Sequence, residues 1–325
     1  SLLRDHPFFT VAEVVASQRS AGKTYAEACE WKQDMFIPEE VAGMTVKSTE
    51  ESLKSPILFS GLDSSVAGPV EEQYAKAGHT VISNSKNHRM DPDVPIIIPE
   101  VNSDHFKIVK TQPYAGGIIT NSNCSTMFLA MALAPIYKAF GLEAVQVTTM
   151  QAISGAGYPG VPSMDILGNV IPYIGEEEEK MERETVKILG TFNGKEIVPA
   201  PFAVSAQCNR VAVFDGHTET VSMKLKTRAT PEDVRKALKS FSGIPQELGL
   251  PFAPKHPILV FDEPNRPQPA RDAWKERGMS TSVGRIRVCP VFDIKMVVMG
   301  HNTIRGAAGA AILNGETFVK LGYLS

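Results

Sequence analysis

Within the first 123 residues, short apolar runs at 9–17, 56–60 (PILFS), 79–83 (HTVIS) and 95–98 alternate with helical stretches, the clearest at 66–77. No other feature constrains the fold as strongly. Runs this short and uniformly apolar suit strands covered on both faces, and strands separated by helices pair in parallel, so the pattern reads as βαβ units. Such a sheet binds ligands beyond the carboxyl ends of its strands. Those ends carry Ser17-Gln18-Arg19-Ser20, Ser60-Gly61-Leu62 and Ser83-Asn84-Ser85, small polar residues that suit a crevice.

From residue 124 the pattern changes. A long helix at 125–140 leads into a strand at 143–153, a charged helix follows at 176–190, Pro231 opens another helix, and 288–300 returns to strand. The run 220–227 (TVSMKLKT) alternates with period two, which implies a second face that is wet or covered by a partner. The stretch 302–321 reads as a helix with small residues on one side, suited to packing back on the first domain, whereas proline-rich 246–277 reads as a long surface excursion. Residues 1–5 read as the last turn of a helix ahead of Pro7, with part of the chain expected upstream.

At 325 residues two domains are expected. A net charge of -3 offers no broad basic field, which argues against a nucleic-acid partner. The longest apolar run, 127–137, is broken by Pro135 and falls well short of the roughly 20 residues of a membrane span. Cys29, Cys124, Cys208 and Cys289 are scattered, without the close pairs of metal sites or disulfide frameworks, so reduced thiols in the cytoplasm and no metal are expected.

Cys124 lies in Asn121-Ser-Asn-Cys-Ser-Thr-Met, after a short strand and at a helix start. Unpaired N–H groups there lower a thiol pKa from ~8.5 and favour the nucleophilic thiolate, although a cysteine is equally often a small buried hydrophobe. Of the seven histidines, His217 stands out, because the alternation from Asn209 toward Gly216 places Arg210 and His217 near one strand and turn. An arginine there can hold a carboxylate while the histidine exchanges protons. Gln151 precedes a turn containing Ser154, Gly155 and Gly157, whose backbone can approach a flat ring closely. The acidic run 176–179 with Lys180 reads by itself as a solvated helix face.

Together these segments resemble the aspartate-semialdehyde dehydrogenases, particularly the archaeal and fungal branch. The likeness rests on Ser-Asn-Cys-Ser-Thr at Cys124, Gln-Ala-Ile-Ser-Gly-Ala-Gly-Tyr-Pro-Gly from Gln151, and the segment from Arg210 to Asp-Gly-His-Thr-Glu. It implies an α/β protein. A Rossmann-like NADP-binding domain would span 1–123, completed by 302–325, and an α+β catalytic and dimerisation domain with a mixed or antiparallel sheet would span 124–301. The implied reaction is the NADPH-dependent conversion of L-aspartyl-4-phosphate to L-aspartate-4-semialdehyde through a thioacyl intermediate on Cys124, in lysine, threonine and methionine biosynthesis.

Carried over by residue, the likeness makes His217 the acid/base and Gln151 an orienting group. Arg210 would take the substrate carboxylate, Glu177 and Lys180 the ammonium and a carboxylate or phosphate, and Arg89 with Asn123 the phosphate. Ser17, Arg19, Ser20 and Lys23 would hold the 2′-phosphate of NADP. Ser60, Gly61, Ser83, Ser154, Gly155, Gly157 and Asn302 are further cofactor candidates. The implied pyrophosphate cradle, a strand with a Gly-x-x-Gly-x-x-Gly turn, is expected upstream of Ser1. A homodimer or homotetramer is implied. Malonyl- or succinyl-CoA reductases resemble the same branch but need no ammonium site; a Cys-His hydrolase would not need the cluster at 17–20; a purely structural descendant would be expected to lose Cys124, Gln151 or His217.

Overall fold

The computed structural model describes residues 1–324, so Ser325 of the expected 302–325 segment lies outside the described residues. Strand β1 (Val14–Ala16) pairs in parallel with β2 (Val46–Ser48). A separate parallel sheet runs β3 (Ile57–Ser60), β4 (Thr80–Ser83), β5 (Gly117–Thr120). Helix α1 (Ser64–Lys76) connects β3 to β4, and the Asp63 carboxylate accepts the Ser65 N–H to satisfy one of its unpaired donors. A trough of about 1190 Å³, lined in part by Phe8, Phe9, Val15, Ile57 and Phe59, separates β1 from β3. Both strands border this trough and are half-buried there, where the sequence suggested strands covered on both faces.

Two expected strands shrink. Of 9–17 only β1 forms, because the N–H groups of Phe8 and Phe9 both donate to His6 Nδ1 at 3.1 Å and are withheld from any ladder. The stretch 95–98 makes a single bridge between Ile96 and Thr120. Pro95 has no N–H, and the Asn102 side chain takes the Ile98 N–H at 2.9 Å before Pro99 opens a helical turn. Residues 1–5 form a turn.

The second half is built on helix α2 (Cys124–Phe140), which is apolar on nearly all sides and accordingly buried from Ser125 through Leu133. Gly141, at φ 66°, ends it. Strand β6 (Leu142–Gln151) follows, then β7 (Val170–Ile171), helix α3 (Glu177–Ile188), a small hairpin β8 (Thr191–Phe192) and β9 (Ile197–Val198), β10 (Ala203–Val211), β11 (His217–Leu225), helix α4 (Pro231–Lys239), β12 (Ile258–Val260), β13 (Thr281–Val288) and β14 (Ile294–Gly300). A π turn at Ile304–Ala308 leads into helix α5 (Gly309–Lys320). Seven strands form one mixed sheet, ordered β12-β13-β14-β11-β6-β10-β7. Val145 and Val147 of β6 and Val221, Met223 and Leu225 of β11 join α2 in the main core. The opposite face presents Gln146, Thr220 and Lys224 to solvent.

The expected strand at 288–300 is instead the end of β13 and all of β14, folded back by a turn in which the Cys289 N–H donates to the Asp293 carbonyl. The expected strand at 143–153 gives way to a 3-10 turn at Ile153–Ala156. The region 246–277 is not a loose excursion, since it supplies β12 and buries Asp272, whose carboxylate takes Arg266 and the Gln268 N–H. Helix α5 returns to the parallel sheet: Ala311 and Phe318 pack with Ile82, Ile97, Phe106 and Ile119. Gly315 lets it approach Phe59 and Ile82, where a Cβ would come within 3.1 Å. Among the described residues no helix is long and apolar enough to cross a membrane.

Candidate active site

Strand register assembles the site. Arg210 of β10 pairs with Gln151 of β6, His217 of β11 pairs with Gly300 of β14, and extending the β11–β6 register by one residue sets His217 opposite Gln151. Three side chains from distant segments thus form one row across the sheet, at the carboxyl ends of β6 and β10. The first residue of α2 faces this row. Cys124 Sγ lies 3.3 Å from His217 Nε2. Asn123 caps α2, its side-chain oxygen accepting the N–H groups of Ser125 at 3.0 Å and Thr126 at 3.1 Å.

His217 is completely buried, and its Nδ1 accepts the Ala152 N–H at 3.0 Å. In the neutral ring that contact puts the remaining proton on Nε2, facing the sulfur. Burial, with help from Arg210 and His301, pulls its pKa down to about 3. The Cys124 thiol is pushed up to about 12 by burial first and by the Glu177 carboxylate second, against the pull of Arg89, the Ser125 N–H and Arg210. This corrects the expectation that the helix start would lower it: loss of solvation outweighs the few N–H groups that favour the thiolate. The resting pair is therefore thiol and neutral imidazole.

Glu177 is gripped from three sides. Asn123 Nδ2 donates to both its oxygens at 3.0 and 2.8 Å, Gln151 Nε2 donates at 3.2 Å and Lys180 Nζ at 3.1 Å. The acidic run is thus not a purely solvated face, because Glu177 and Glu184 turn inward and are buried. Arg210 is held by Nη1 to the Ala152 carbonyl at 2.7 Å. Arg89 donates through Nη1 to Glu184 at 3.0 Å and through Nη2 to the Asn84 carbonyl at 2.9 Å.

Asn302 ties the site's far side together, accepting the Gly216 N–H at 2.8 Å and donating to Ser154 Oγ at 2.8 Å. A Cβ on Gly155 would come within 2.9 Å of both His217 and Arg210, and one on Gly306 within 2.8 Å of the Cys124 Cβ. The hydroxyls of Ser60 and Ser83 both donate to the buried Glu71 carboxylate. Ser17, Arg19 and Lys23 are exposed beyond β1 and Ser20 is half-buried; Gly61 and Gly157 are exposed. Arg19 and Lys23 make no ion pair among the described residues. No group of His, Cys, Asp or Glu able to hold a metal occurs among them either.

Sequence reasoning missed Glu184, Lys187, the Ala152 backbone and Gly306. The spacing of Glu177, Glu184 and Lys187 on one helix face was a readable signal, as was the run of small residues at 306–311.

Residues 1–109 match the NAD-binding domain and residues 133–305 the dimerisation domain of semialdehyde dehydrogenases. The chain is 49% identical to an aspartate-semialdehyde dehydrogenase of Schizosaccharomyces pombe, covering 100% of this chain and 94% of that one. It is 48% identical to one from Methanothermobacter thermautotrophicus, covering 97% and 93%. A crystal structure of the Candida albicans enzyme with NADP superposes with a TM-score of 0.91 at 44% identity, covering 98% of this chain and 93% of that one.

Proposed function

Because this chain belongs to the aspartate-semialdehyde dehydrogenases, an NADP-dependent oxidoreductase family of amino-acid biosynthesis, we propose that Cys124, His217 and the charged face of α3 carry its reaction. That reaction is the reductive dephosphorylation of L-aspartyl-4-phosphate to L-aspartate-4-semialdehyde; the CoA-reductase reading is not favoured by these relatives.

Cys124 Sγ forms its bond to the acyl carbon as the carbon–oxygen bond to phosphate breaks, and the thiol proton leaves on the departing phosphate, so a thioacyl enzyme replaces the acyl phosphate. Glu177 takes the substrate ammonium. Pairing with a cation removes the carboxylate's push on the neighbouring thiol, so substrate arrival itself favours the thiolate. His217 holds its proton at Nε2, where it donates to the sulfur and then to the oxygen of the tetrahedral adduct. Gln151 orients Glu177, Arg210 takes the substrate carboxylate with the donors that Ala152 leaves free, and Arg89 with Asn123 and Lys180 addresses the phosphate.

NADPH supplies the hydride that reduces the thioester when bound. The residues present fit it: Arg19 and Lys23, two cations without an ion-pair partner among the described residues, suit the 2′-phosphate beside Ser17 and Ser20. At Gly155 and Gly306 the backbone passes so close to Arg210, His217 and Cys124 that no Cβ would fit, which lets those side chains sit hard against the wall of the site. Ser60 and Gly61 line the trough beside β3 and Asn302 braces Ser154, and we assign these residues with Ser83 and Gly157 to the same cofactor. We assign 1–123 with the C-terminal helix to cofactor binding and 124–301 to catalysis and dimerisation, in a cytoplasmic enzyme. The matched dimerisation domain and the polar outer face of the seven-stranded sheet support a homodimer. Light scattering at micromolar concentration distinguishes it from a tetramer, and a fully active monomer would refute it.

The 3.3 Å contact between Cys124 and His217 at the start of α2 carries this reading. Phosphate-dependent reduction of NADP with aspartate semialdehyde tests it. Activity only in malonyl-CoA-dependent NADPH oxidation would overturn it.

A further inference from the structure

Helix α3 carries two more buried charges that the reaction above does not use. Glu184 and Lys187 are 2% and 6% exposed. Lys187 Nζ donates to three carbonyls of one loop, those of Arg89 at 2.7 Å, Asp91 at 2.7 Å and Val94 at 2.8 Å. An ammonium has three donors and no acceptor, so this set is complete. Glu184 divides its carboxylate between Arg89 Nη1 at 3.0 Å and the Asn123 N–H at 2.6 Å. One helix therefore grips the backbone of the loop that bears Arg89, the guanidinium itself, and the residue ahead of the nucleophile.

A guanidinium has five donors in a rigid fork. Glu184 and the Asn84 carbonyl use two of them, and the buried Nε–H has no partner among the described residues. Arg89 is thus held in place with most of its donors still open, which is the condition for binding an anion without reorganisation. Paired buried charges of this kind often stabilise a fold less than apolar residues of the same size would. Stability alone gives little reason to place an ammonium and a carboxylate here.

We propose that Lys187 and Glu184 are positioning residues that fix Arg89 as the phosphate-binding group before the acyl phosphate arrives. The proposal rests on the reading of Arg89 given above. Lys187 sets where the arginine's backbone lies, and Glu184 sets the plane of its fork and ties that plane to the cap of α2. An unsupported Arg89 would have to be ordered by each incoming phosphate, and the loss would fall on phosphate affinity.

The test uses the full chain in the direction of semialdehyde oxidation, with inorganic phosphate as the varied substrate. Lys187→Met, which keeps the length of the stem and removes every donor, is expected to raise the KM for phosphate at least tenfold while the KM values for aldehyde and NADP stay within twofold. Lys187→Gln keeps two donors and is expected to fall between wild type and Lys187→Met. Glu184→Gln, which keeps an acceptor but loses the charge, should raise the phosphate KM several-fold. A second readout needs no cofactor: protection of Cys124 by inorganic phosphate against iodoacetamide should require at least tenfold more phosphate in Lys187→Met. An unchanged phosphate KM, or an equal rise in all three KM values, overturns the proposal by showing that the pair only braces the fold. If Lys187→Met does not melt cooperatively, Lys187→Gln and Glu184→Gln decide by the same criteria. A wild-type enzyme indifferent to phosphate would instead refute the function itself.

Discussion

Gly155 offers the sharpest perturbation of the site. Its φ lies outside the left-handed region, so the backbone would accept alanine. The space would not: an added Cβ falls 2.8 Å from Arg210 Nη1, 2.8 Å from His217 Cε1 and 2.9 Å from Nε2. Restoring ordinary contact requires a shift of roughly half an ångström or more. Both neighbours are pinned through Ala152, the ring by the N–H at 3.0 Å and the guanidinium by the carbonyl at 2.7 Å. The displacement must therefore lengthen the Sγ–Nε2 contact or push the turn off the end of β6. Misplacing reacting groups by about 1 Å costs about a hundredfold, so Gly155→Ala is expected to lower kcat/KM by about 10- to 100-fold, or ~1.4 to 2.7 kcal/mol of barrier. Gly168→Ala is the control, because that residue has φ 72° and nothing within 4 Å of an added Cβ. It should cost about 1 to 2 kcal/mol of stability through backbone strain and leave kcat/KM within about threefold. Phosphate-dependent NADP reduction measured alongside thermal melting separates the two. A Gly155→Ala enzyme that kept more than a third of its kcat/KM would refute the reasoning.

Cys124→Ser should fold normally and lose several orders of magnitude in turnover, since a hydroxyl has no thiolate character; a tenth of the activity remaining would remove Cys124 from the chemistry. Arg19→Ala should weaken NADPH by about tenfold more than NADH, because its guanidinium is assigned to the extra phosphate; titration showing equal loss for both refutes that assignment. Burial holds His217 at about 3 against 6.5 for the free side chain, so the unfolded chain takes up a proton that the folded one resists. The stability this contributes is complete above pH 6.5 and lost as pH falls toward 3, on the order of 5 kcal/mol in all. His217→Gln should flatten that acid limb in urea melts; an unchanged limb would show that His217 does not titrate there.

Local signals were legible and long-range ones were not. The start of α2 at Cys124 could be read because a cap, a preceding strand and an apolar helix are all contiguous in sequence. The row of His217, Gln151 and Arg210 depends on the pairing of β6 with β10 and β11, which no single segment encodes. The thiol expectation failed for a related reason: the helix start is local, whereas the burial that dominates comes from packing brought in by other segments. Glu184 and Lys187 share a helix face with Glu177, a spacing that could be read, but charge marked the face as wet and what the two residues hold is visible only in their tertiary partners. The strand at 95–98 failed because Pro95 has no N–H to give and the Asn102 side chain took the Ile98 N–H, a competition that apolar character does not record.

Because the histidine, the glutamine and the arginine stand in one cross-strand row, their separations are multiples of the distance between neighbouring strands, ~4.8 Å. The sheet is a ruler, and its divisions cannot be adjusted by small steps. A single substitution can exchange a group at one mark, but to move the mark a whole strand must slip, turning every core residue of that strand outward. Adaptation to a longer or shorter substrate should therefore proceed on the helical wall opposite, at Glu177 and Lys180 of α3 and at Arg89, where side-chain length varies freely. Divergence in specificity among descendants of this fold would then be recorded in one helix and one loop, with the row left unaltered.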